Sequence, residues 1–271
     1  MTPNPVSASP SAALPVLSRL YRSSEADFAG MTDQLTHAWV LSDGSGAIGL
    51  RPSPAHGAEV MGGAFPGQSQ QAVALALLSA ALAAQPQLYA YAETHLLPAE
   101  ALEAAGLRPV SAYTRMTGPL PTLPPAVPEG FRIVPLVDVA SLEDRMTAQQ
   151  TYSDMIGHTF VPPEFVLPGA GSCDEALSRL AYDAGGSAVG ICRVWRDGEE
   201  VSCTTPGVLH RTRGSGLRRA LLLSVCQAAR VAGAVGINLQ AWGDTEQERA
   251  EDLKLGLDIG EWTPIYSSAP S

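Results

Sequence analysis

A segment rich in proline divides the chain into two parts that are each long enough to fold. Residues 118–128 hold five prolines, which lack a backbone N–H and favour extended conformations. Such a segment is typical of a semi-rigid spacer between domains. In a chain of 271 residues we therefore predict a disordered tail at 1–15, a domain at 16–117, a linker at 118–129 and a second domain at 130–271.

The two parts show the same order of predicted elements. Hydrophobic periodicity and turn residues predict, in the first part, strands at 38–42, 47–51, 59–65, 88–92 and 110–117 and helices at 69–84 and 98–105. The second part has predicted strands at 131–136, 177–183, 187–195, 200–208, 235–240 and 259–267 and helices at 139–150, 216–232 and 245–255. The sequence therefore predicts an α/β protein built from two copies of one domain.

The charge balance limits the classes of partner. The chain carries 17 basic and 27 acidic residues, a formal net charge of −10. Nucleic-acid binding needs basic stripes that this composition does not supply. An acidic surface instead attracts small cations, and amines are among them. This charge balance predicts no nucleic-acid partner and is compatible with a small-molecule amine as substrate.

Cysteine spacing and hydropathy indicate a cytoplasmic protein. The four cysteines form no CxxC pair, which is typical of reduced thiols in the cytosol. The longest apolar stretch, 72–84, has 13 residues and is too short to span a bilayer. His158 and His210 stand alone in the sequence, so we predict no metal site. The sequence leaves open whether the protein forms a homodimer.

A glycine-containing loop in the second part carries the clearest chemical signal. Residues 213–218, Arg-Gly-Ser-Gly-Leu-Arg, lie between a predicted strand and a predicted helix. Two glycines allow a tight turn that brings backbone N–H groups close to a ligand. A helix that starts there adds unpaired N–H donors, and the arginines add positive charge. This pattern is typical of a phosphate site, although an ordinary solvated turn would also fit it.

The residues around this loop resemble one enzyme superfamily. Residues 208–222 are similar to the segment of GNAT-superfamily N-acetyltransferases in which a strand ends, an R/Q-x-x-G-x-G/A loop follows and a helix begins. Gly256-Leu257 resembles the family's Gly-Phe near its last helix, and the turn at 242–245 lies where the family leaves its fifth strand. The similarity covers about residues 130–267, and residues 35–117 resemble a degenerate second copy.

The resemblance implies two tandem GNAT-like acyl-CoA N-acyltransferase domains, each with a V-shaped mixed sheet. It places acetyl-CoA, the co-substrate, between the fourth and fifth strands of the second domain. The backbone of Val208 and Leu209 would then bind the pantetheine arm. The pyrophosphate would be held by the loop residues Arg213, Gly214, Ser215, Gly216, Leu217 and Arg218. Family members transfer the acyl group directly to an amine in a ternary complex.

Two positions depart from the family pattern. Arg218 stands where the family has Gly or Ala, so its side chain must turn away from the phosphates. An alternative register, 211–216, matches the written motif but places the helix start less well. Asp252 stands where the family has the Tyr that protonates the leaving thiolate, and Leu102 stands there in the first part. The second hypothesis is therefore a non-catalytic acyl-CoA-binding protein.

Four further side chains are candidates for catalysis or substrate binding. Glu200, at the start of the fourth strand, is a candidate general base, although a solvated hairpin acid would look the same. Tyr266 is a candidate general acid, and a half-buried packing aromatic is the alternative. Tyr152 and Asp154 follow the first helix of the second domain and are candidate contacts for the cationic amine.

The first part lacks the features of a phosphate site. Its loop at 66–71, Pro-Gly-Gln-Ser-Gln-Gln, has one glycine and no arginine. We therefore predict that the first domain is structural or forms one wall of the substrate cleft.

Overall fold

The chain folds into two units, and each unit has its own buried core. The computed structural model describes residues 4–53, 55–158, 163–170 and 173–268. The first unit consists of Met1–Ala112 and Thr263–Ser271, and the second consists of Tyr113–Trp262. Strand and helix alternate through both, as the sequence predicts.

The regular elements follow the predicted order closely. Those up to residue 119 are β1 (Pro5–Ala8), α1 (Pro10–Leu20), α2 (Glu25–Thr32), β2 (His37–Leu41), β3 (Gly46–Ser53), β4 (Gly57–Ala64), α3 (Gln70–Ala84), β5 (Leu88–Tyr91), α4 (Ala99–Ala104) and β6 (Arg108–Pro119). Those that follow are β7 (Phe131–Pro135), α5 (Leu142–Gln149), β8 (Arg179–Asp183), β9 (Ala188–Cys192), β10 (Val194–Asp197), β11 (Glu200–Thr204), β12 (Gly207–Val208), α6 (Leu217–Val231), β13 (Gly236–Trp242), α7 (Glu246–Leu253) and β14 (Asp258–Ser267). Both α-helices and a mixed sheet are present, which confirms the predicted fold class.

The first unit is built on a mixed sheet. Strands β1 to β4 are antiparallel neighbours, β4 runs parallel to β5, and the end of β14 pairs antiparallel with β5. Helices α3 and α4 bury small and branched apolar residues against this sheet, among them Leu77, Leu78 and Leu102. Because this core is continuous with the buried faces of β3 and β5, the unit has the apolar interior that a separate domain needs.

The start of the chain is ordered where the structure describes it, contrary to the predicted tail at 1–15. Strand β1 pairs with β2, and Ser9 caps α1 through a bond from the Ala12 N–H of 3.2 Å. Leu17 of α1 is fully buried. Proline lacks the N–H that a helix leaves unpaired in its first turn, so Pro10 is compatible with a helix start. The composition of this segment therefore did not reveal its amphipathic packing. Residues 1–3 lie outside the described part of the chain.

The second unit contains two sheets that share the strand region 200–208. In one sheet, β10 and β11 are antiparallel, β11 is parallel to β13, and β13 is antiparallel to β6. The other is an antiparallel sheet in the order β12-β9-β8-β7. Helix α6 packs Leu217, Leu221 and Val225 into the core between them. In this arrangement β12 pairs with β9 in the other sheet, so it does not continue the pairing of β11 with β13.

The proline-rich segment begins inside the second unit. Gly118 and Pro119 pair with β13, and the Leu120 N–H donates to the Val235 carbonyl at 3.0 Å. The division between units falls after Ala112, earlier than the predicted linker at 118–129, and β14 returns the chain to the first unit after Trp262. Proline is tolerated here because it stands at the end of β6, where a ladder donor is not needed.

Candidate functional site

Two parallel strands separate in the middle of the second unit. Strands β11 and β13 are paired from Glu200 and Gly236 to Thr204 and Gln240. The Thr205 N–H makes the next bond, to the Gln240 carbonyl at 2.7 Å. Pro206 then interrupts the ladder, since it has no N–H, and β12 pairs with β9 in the other sheet. An opening between β12 and β13 therefore starts at Thr205, as the expected V-shaped sheet requires.

The backbone of β12 faces this opening. The Leu209 N–H donates to the Val189 carbonyl at 3.0 Å. Because antiparallel pairs alternate between bonded and non-bonded positions, the N–H and C=O of the preceding residue, Val208, point away from β9. Of the two residues predicted to bind the ligand through their backbone, Val208 thus has groups that are not bonded to β9, whereas the N–H of Leu209 is already used.

The loop before α6 exposes a group of unpaired amides. Gly214 and Gly216 have positive φ values of 79° and 88°, which glycine adopts without strain. Within the described part of the chain, no hydrogen bond is recorded for the amides of Gly214, Gly216, Arg218 and Arg219. The Leu217 N–H reaches only the Ser215 Oγ, at 3.3 Å. Converging amides at a helix start form an anion site.

Carboxylates of the chain pair with the arginines around the loop. Arg213 Nη2 lies 2.7 Å from Asp154 Oδ1, and Arg211 Nη2 lies 3.0 Å from Asp183 Oδ2. Both pairs are partly exposed, so each is worth little and an anionic ligand can compete for the arginine. Asp154, predicted as a substrate contact, is therefore held beside the loop by Arg213.

Arg218 turns inward, away from the loop surface. Its guanidinium makes a two-point contact with Asp252, at 3.0 and 2.6 Å, and lies 2.5 Å from Asp244 Oδ2. It also donates to the Thr205 hydroxyl at 2.8 Å. These side chains are buried, with 8% of Arg218 and 2% of each aspartate exposed. The predicted positive charge of Arg218 at the loop is thus neutralised in the interior, and only its amide faces outward.

Burial and charge shift the pKa values of this cluster. Burial works to lower the pKa of Arg218, but the charge of Asp244 and the bond to Asp252 outweigh it and raise that pKa. Burial raises the pKa of Asp244 to about 6, against the opposing effect of the Arg218 charge. The Thr205 hydroxyl donates to Asp244 at 3.0 Å. Two aspartates share one arginine, so this part of the core is short of positive charge.

Asp244→Asn should remove a pH dependence of stability. The carboxyl of Asp244 titrates near pH 4 when unfolded and at about pH 6 when folded. A raised pKa means that its contribution to the free energy of unfolding is full at low pH and falls as pH rises through about 6. We expect urea denaturation between pH 4 and 7 to show this decline in the wild type and a flatter profile in the variant. An equal slope in both proteins would contradict the shift.

Asp252 occupies the position of the family's tyrosine but is not a free proton donor. Its side chain is buried, and both of its carboxylate oxygens accept bonds from Arg218. Both oxygens of this carboxylate are therefore engaged as hydrogen-bond acceptors of the guanidinium. The structure therefore offers no acid at this position.

Tyr152 and His158 lie on the other side of the opening. The Tyr152 hydroxyl donates to the Thr205 carbonyl at 2.7 Å, so its polar group is used internally, and burial raises its pKa. His158 stacks on Tyr152 with ring centroids 4.5 Å apart and meets Trp242 edge-on at 5.5 Å. Burial lowers the pKa of His158 to about 4, which keeps the ring neutral. The isolated histidine of the sequence thus connects the segment that follows α5 with the end of β13, a contact that no local pattern signals.

Glu200 and Tyr266 are not brought to this opening. Glu200 starts β11, five residues before Thr205, and at about 3.3 Å per strand residue it lies roughly 16 Å away. Tyr266 belongs to the first unit, where its hydroxyl donates to Glu103 Oε1 at 3.1 Å. Their proposed roles as base and acid have no support from these positions.

The first unit has a similar strand pair, but its own chain fills the opening. Strands β4 and β5 are paired at Ala58 and Glu59 and then separate. The Ala64 N–H donates to the Leu96 carbonyl at 2.9 Å. A Cβ added to Gly63 would approach that carbonyl oxygen to 2.2 Å. No room for a ligand arm remains, in line with the degenerate first copy.

Within the described residues, no group of three or more His, Cys, Asp or Glu side chains could hold a metal ion. The same residues include no helix that is long and apolar enough to cross a membrane. All four cysteines are free, and Cys203 is buried in the core.

Comparison with known proteins identifies solved structures that have a similar fold. No protein-family model and no curated protein sequence matches the chain. Among solved structures, a GCN5-related N-acetyltransferase from Sphaerobacter thermophilus is 18% identical, with 98% of this chain and 96% of that chain covered and a TM-score of 0.53. Another GCN5-related N-acetyltransferase, from Kribbella flavida, is 12% identical, with 98% of this chain and 71% of that chain covered and a TM-score of 0.57. A conserved protein of Enterococcus faecalis V583 is 11% identical, covering 98% and 72%, with a TM-score of 0.59. Over almost its whole length, the chain has the tandem fold of the GNAT superfamily, the GCN5-related N-acetyltransferases.

Proposed function

We propose that the second unit binds an acyl-CoA and transfers the acyl group to the amine of a small molecule. The observation that carries this proposal is the group of unpaired amides of Gly214, Gly216, Arg218 and Arg219, located where a helix begins beside two diverging parallel strands. A diphosphate is the ligand class that such amides favour. Val208 supplies backbone groups for the pantetheine arm, and the net charge of −10 favours a cationic acceptor.

The chemistry needs no covalent enzyme intermediate. The neutral amine attacks the thioester carbonyl, the carbon–sulfur bond breaks, and the proton lost by the nitrogen balances the proton gained by the thiolate. The backbone N–H of Val208 would stabilise the oxyanion that forms in between. Since Asp252 is held by Arg218, proton transfer would depend on solvent or on the substrate itself.

A second candidate function follows from the Arg218–Asp252 pair. An acyl-CoA-binding protein without turnover needs the amides of the loop but no proton donor. The locked carboxylate at the family's tyrosine position favours this candidate. Binding and turnover must therefore be measured separately.

We expect acetyl-CoA to release free thiol only when an amine is present. The full chain is mixed with acetyl-CoA and a panel of small amines, thiol release is followed by absorbance, and the amide product is identified by mass. Reactions that contain no amine serve as the control for hydrolysis of acetyl-CoA. Calorimetric binding of CoA without transfer to any amine would favour the second candidate, and absence of both binding and transfer would contradict the two together.

A further inference from the structure

The Arg218 side chain connects the two walls of the opening in the second unit. Arg218 lies in the first turn of α6, the helix that follows β12 on one wall. Asp244 follows β13, and Asp252 lies on α7, so both aspartates belong to the other wall. The guanidinium binds both and also donates to Thr205, the residue at which the strands separate. It therefore sits between the walls at the narrow end of the opening.

This location is the stretch that a pantetheine arm would need. An arm that runs from a diphosphate at Gly216 along β12 toward Thr205 meets the space that the Arg218 guanidinium fills, since this guanidinium contacts the Thr205 hydroxyl. Glycine at position 218 would leave that passage open, whereas the side chain present here fills it and is almost fully buried. The guanidinium and the arm cannot occupy the same volume, because protein interiors are close-packed.

The charges hold the arginine in this position. Its bonds to Asp244 and Asp252 are short and shielded from water. Moving the guanidinium out would leave two buried carboxylates without their cation, which is strongly unfavourable. Glu248, whose Oε1 lies 3.8 Å from Arg218 Nε, adds further negative charge. A ligand arm would have to offset this loss before it could enter.

We infer that Arg218 is the specificity-determining residue of this site, admitting the nucleotide diphosphate end of the ligand and excluding its acyl-pantetheine arm while it stays paired with Asp244 and Asp252. This inference rests on the proposed diphosphate site at the loop. It deepens that proposal by stating which part of the ligand contributes to binding. In the wild type, the arm adds no affinity.

The test compares CoA with its own nucleotide end, adenosine 3′-phosphate 5′-diphosphate, by calorimetry on the full chain. In the wild type we expect the two dissociation constants to agree within about threefold. In the variant Arg218→Gly/Asp244→Asn/Asp252→Asn, which clears the passage without leaving a buried aspartate unpaired, we expect CoA to bind at least about tenfold more tightly than the nucleotide, or about 1.4 kcal/mol. Arg230→Gly, at the far end of α6, is the matched control and should keep the wild-type ratio.

Each outcome of this comparison either supports or contradicts the inference about Arg218. If wild-type CoA already binds about tenfold more tightly than the nucleotide, the inference fails and the diphosphate site stands. If the triple variant shows no gain for CoA, Arg218 is not what excludes the arm. If the wild type binds neither ligand, the diphosphate site is absent, and the inference fails together with the proposed function on which it rests. The wild-type ratio needs no variant, so a folding defect in the triple variant leaves the first outcome measurable.

Discussion

Replacing Arg218 with methionine should lower the free energy of unfolding by about 3–5 kcal/mol, the usual effect of removing one partner from a buried ion pair. Methionine keeps much of the side-chain volume but leaves Asp244 and Asp252 buried without their cation. The donor to the Thr205 hydroxyl is lost as well. Urea denaturation followed by circular dichroism measures the change, provided that the transition of the second unit is resolved.

A surface pair in the same loop region supplies the matched control. Arg211 pairs with Asp183 at 3.0 Å, and 60% of its side chain is exposed. Arg211→Met should therefore change stability by no more than about 1 kcal/mol. Arg218→Met/Asp244→Asn/Asp252→Asn should recover most of the loss, because the uncompensated charges are gone. If Arg218→Met costs no more than Arg211→Met, the buried cluster is not formed as described.

Gly216→Val should weaken CoA binding by at least about a hundredfold. Gly216 has a φ of +88°, which a β-branched residue adopts only with strain. Relaxing this strain moves the amides of the loop away from the diphosphate. Each lost bond to a charged ligand costs about 1.5–3 kcal/mol, so losing two is enough for this effect. Calorimetric titration with CoA measures it.

Gly233 allows backbone strain to be separated from loss of the site. It follows the other end of α6 with a φ of +89°, and an added Cβ would meet no atom within 4 Å. Gly233→Val should lose stability as Gly216→Val does but bind CoA like the wild type. Normal binding by Gly216→Val, or equal loss in both variants, would mean that the loop does not hold the ligand.

The sequence predicts much of the fold because its signals are local. The glycines at 214 and 216 mark a turn between a strand and a helix, and the structure places both at positive φ there. The alternating and helical patterns of each part likewise predict the order of most elements, and most predicted boundaries lie within a few residues of those in the structure. Local signals failed at the start of the chain, where the proline-rich composition predicts a disordered tail but the structure has α1. They also failed at Pro206, because the predicted strand 200–208 is interrupted there in the structure.

Long-range contacts explain what the sequence did not reveal at the site. Arg218 meets Asp244 and Asp252, which lie 26 and 34 positions away, and nothing in the loop itself encodes that pairing. The stacking of His158 between Tyr152 and Trp242 is likewise set by the packing of distant segments. Glu200 failed as a candidate because it stands at the wrong end of the correct strand. Spatial convergence, not residue type, decides these roles.

The central claim is that the amides before α6 hold a diphosphate, and residue-resolved amide NMR of the full chain during CoA titration tests it most directly. Glycine amides resonate in a sparse region, so Gly214 and Gly216 can be followed individually. The account predicts large, saturable shifts at these two amides and at Arg218, with little change at Gly233. Saturable shifts confined to the first unit, or no shift at Gly214 and Gly216 when CoA is in excess, would contradict it.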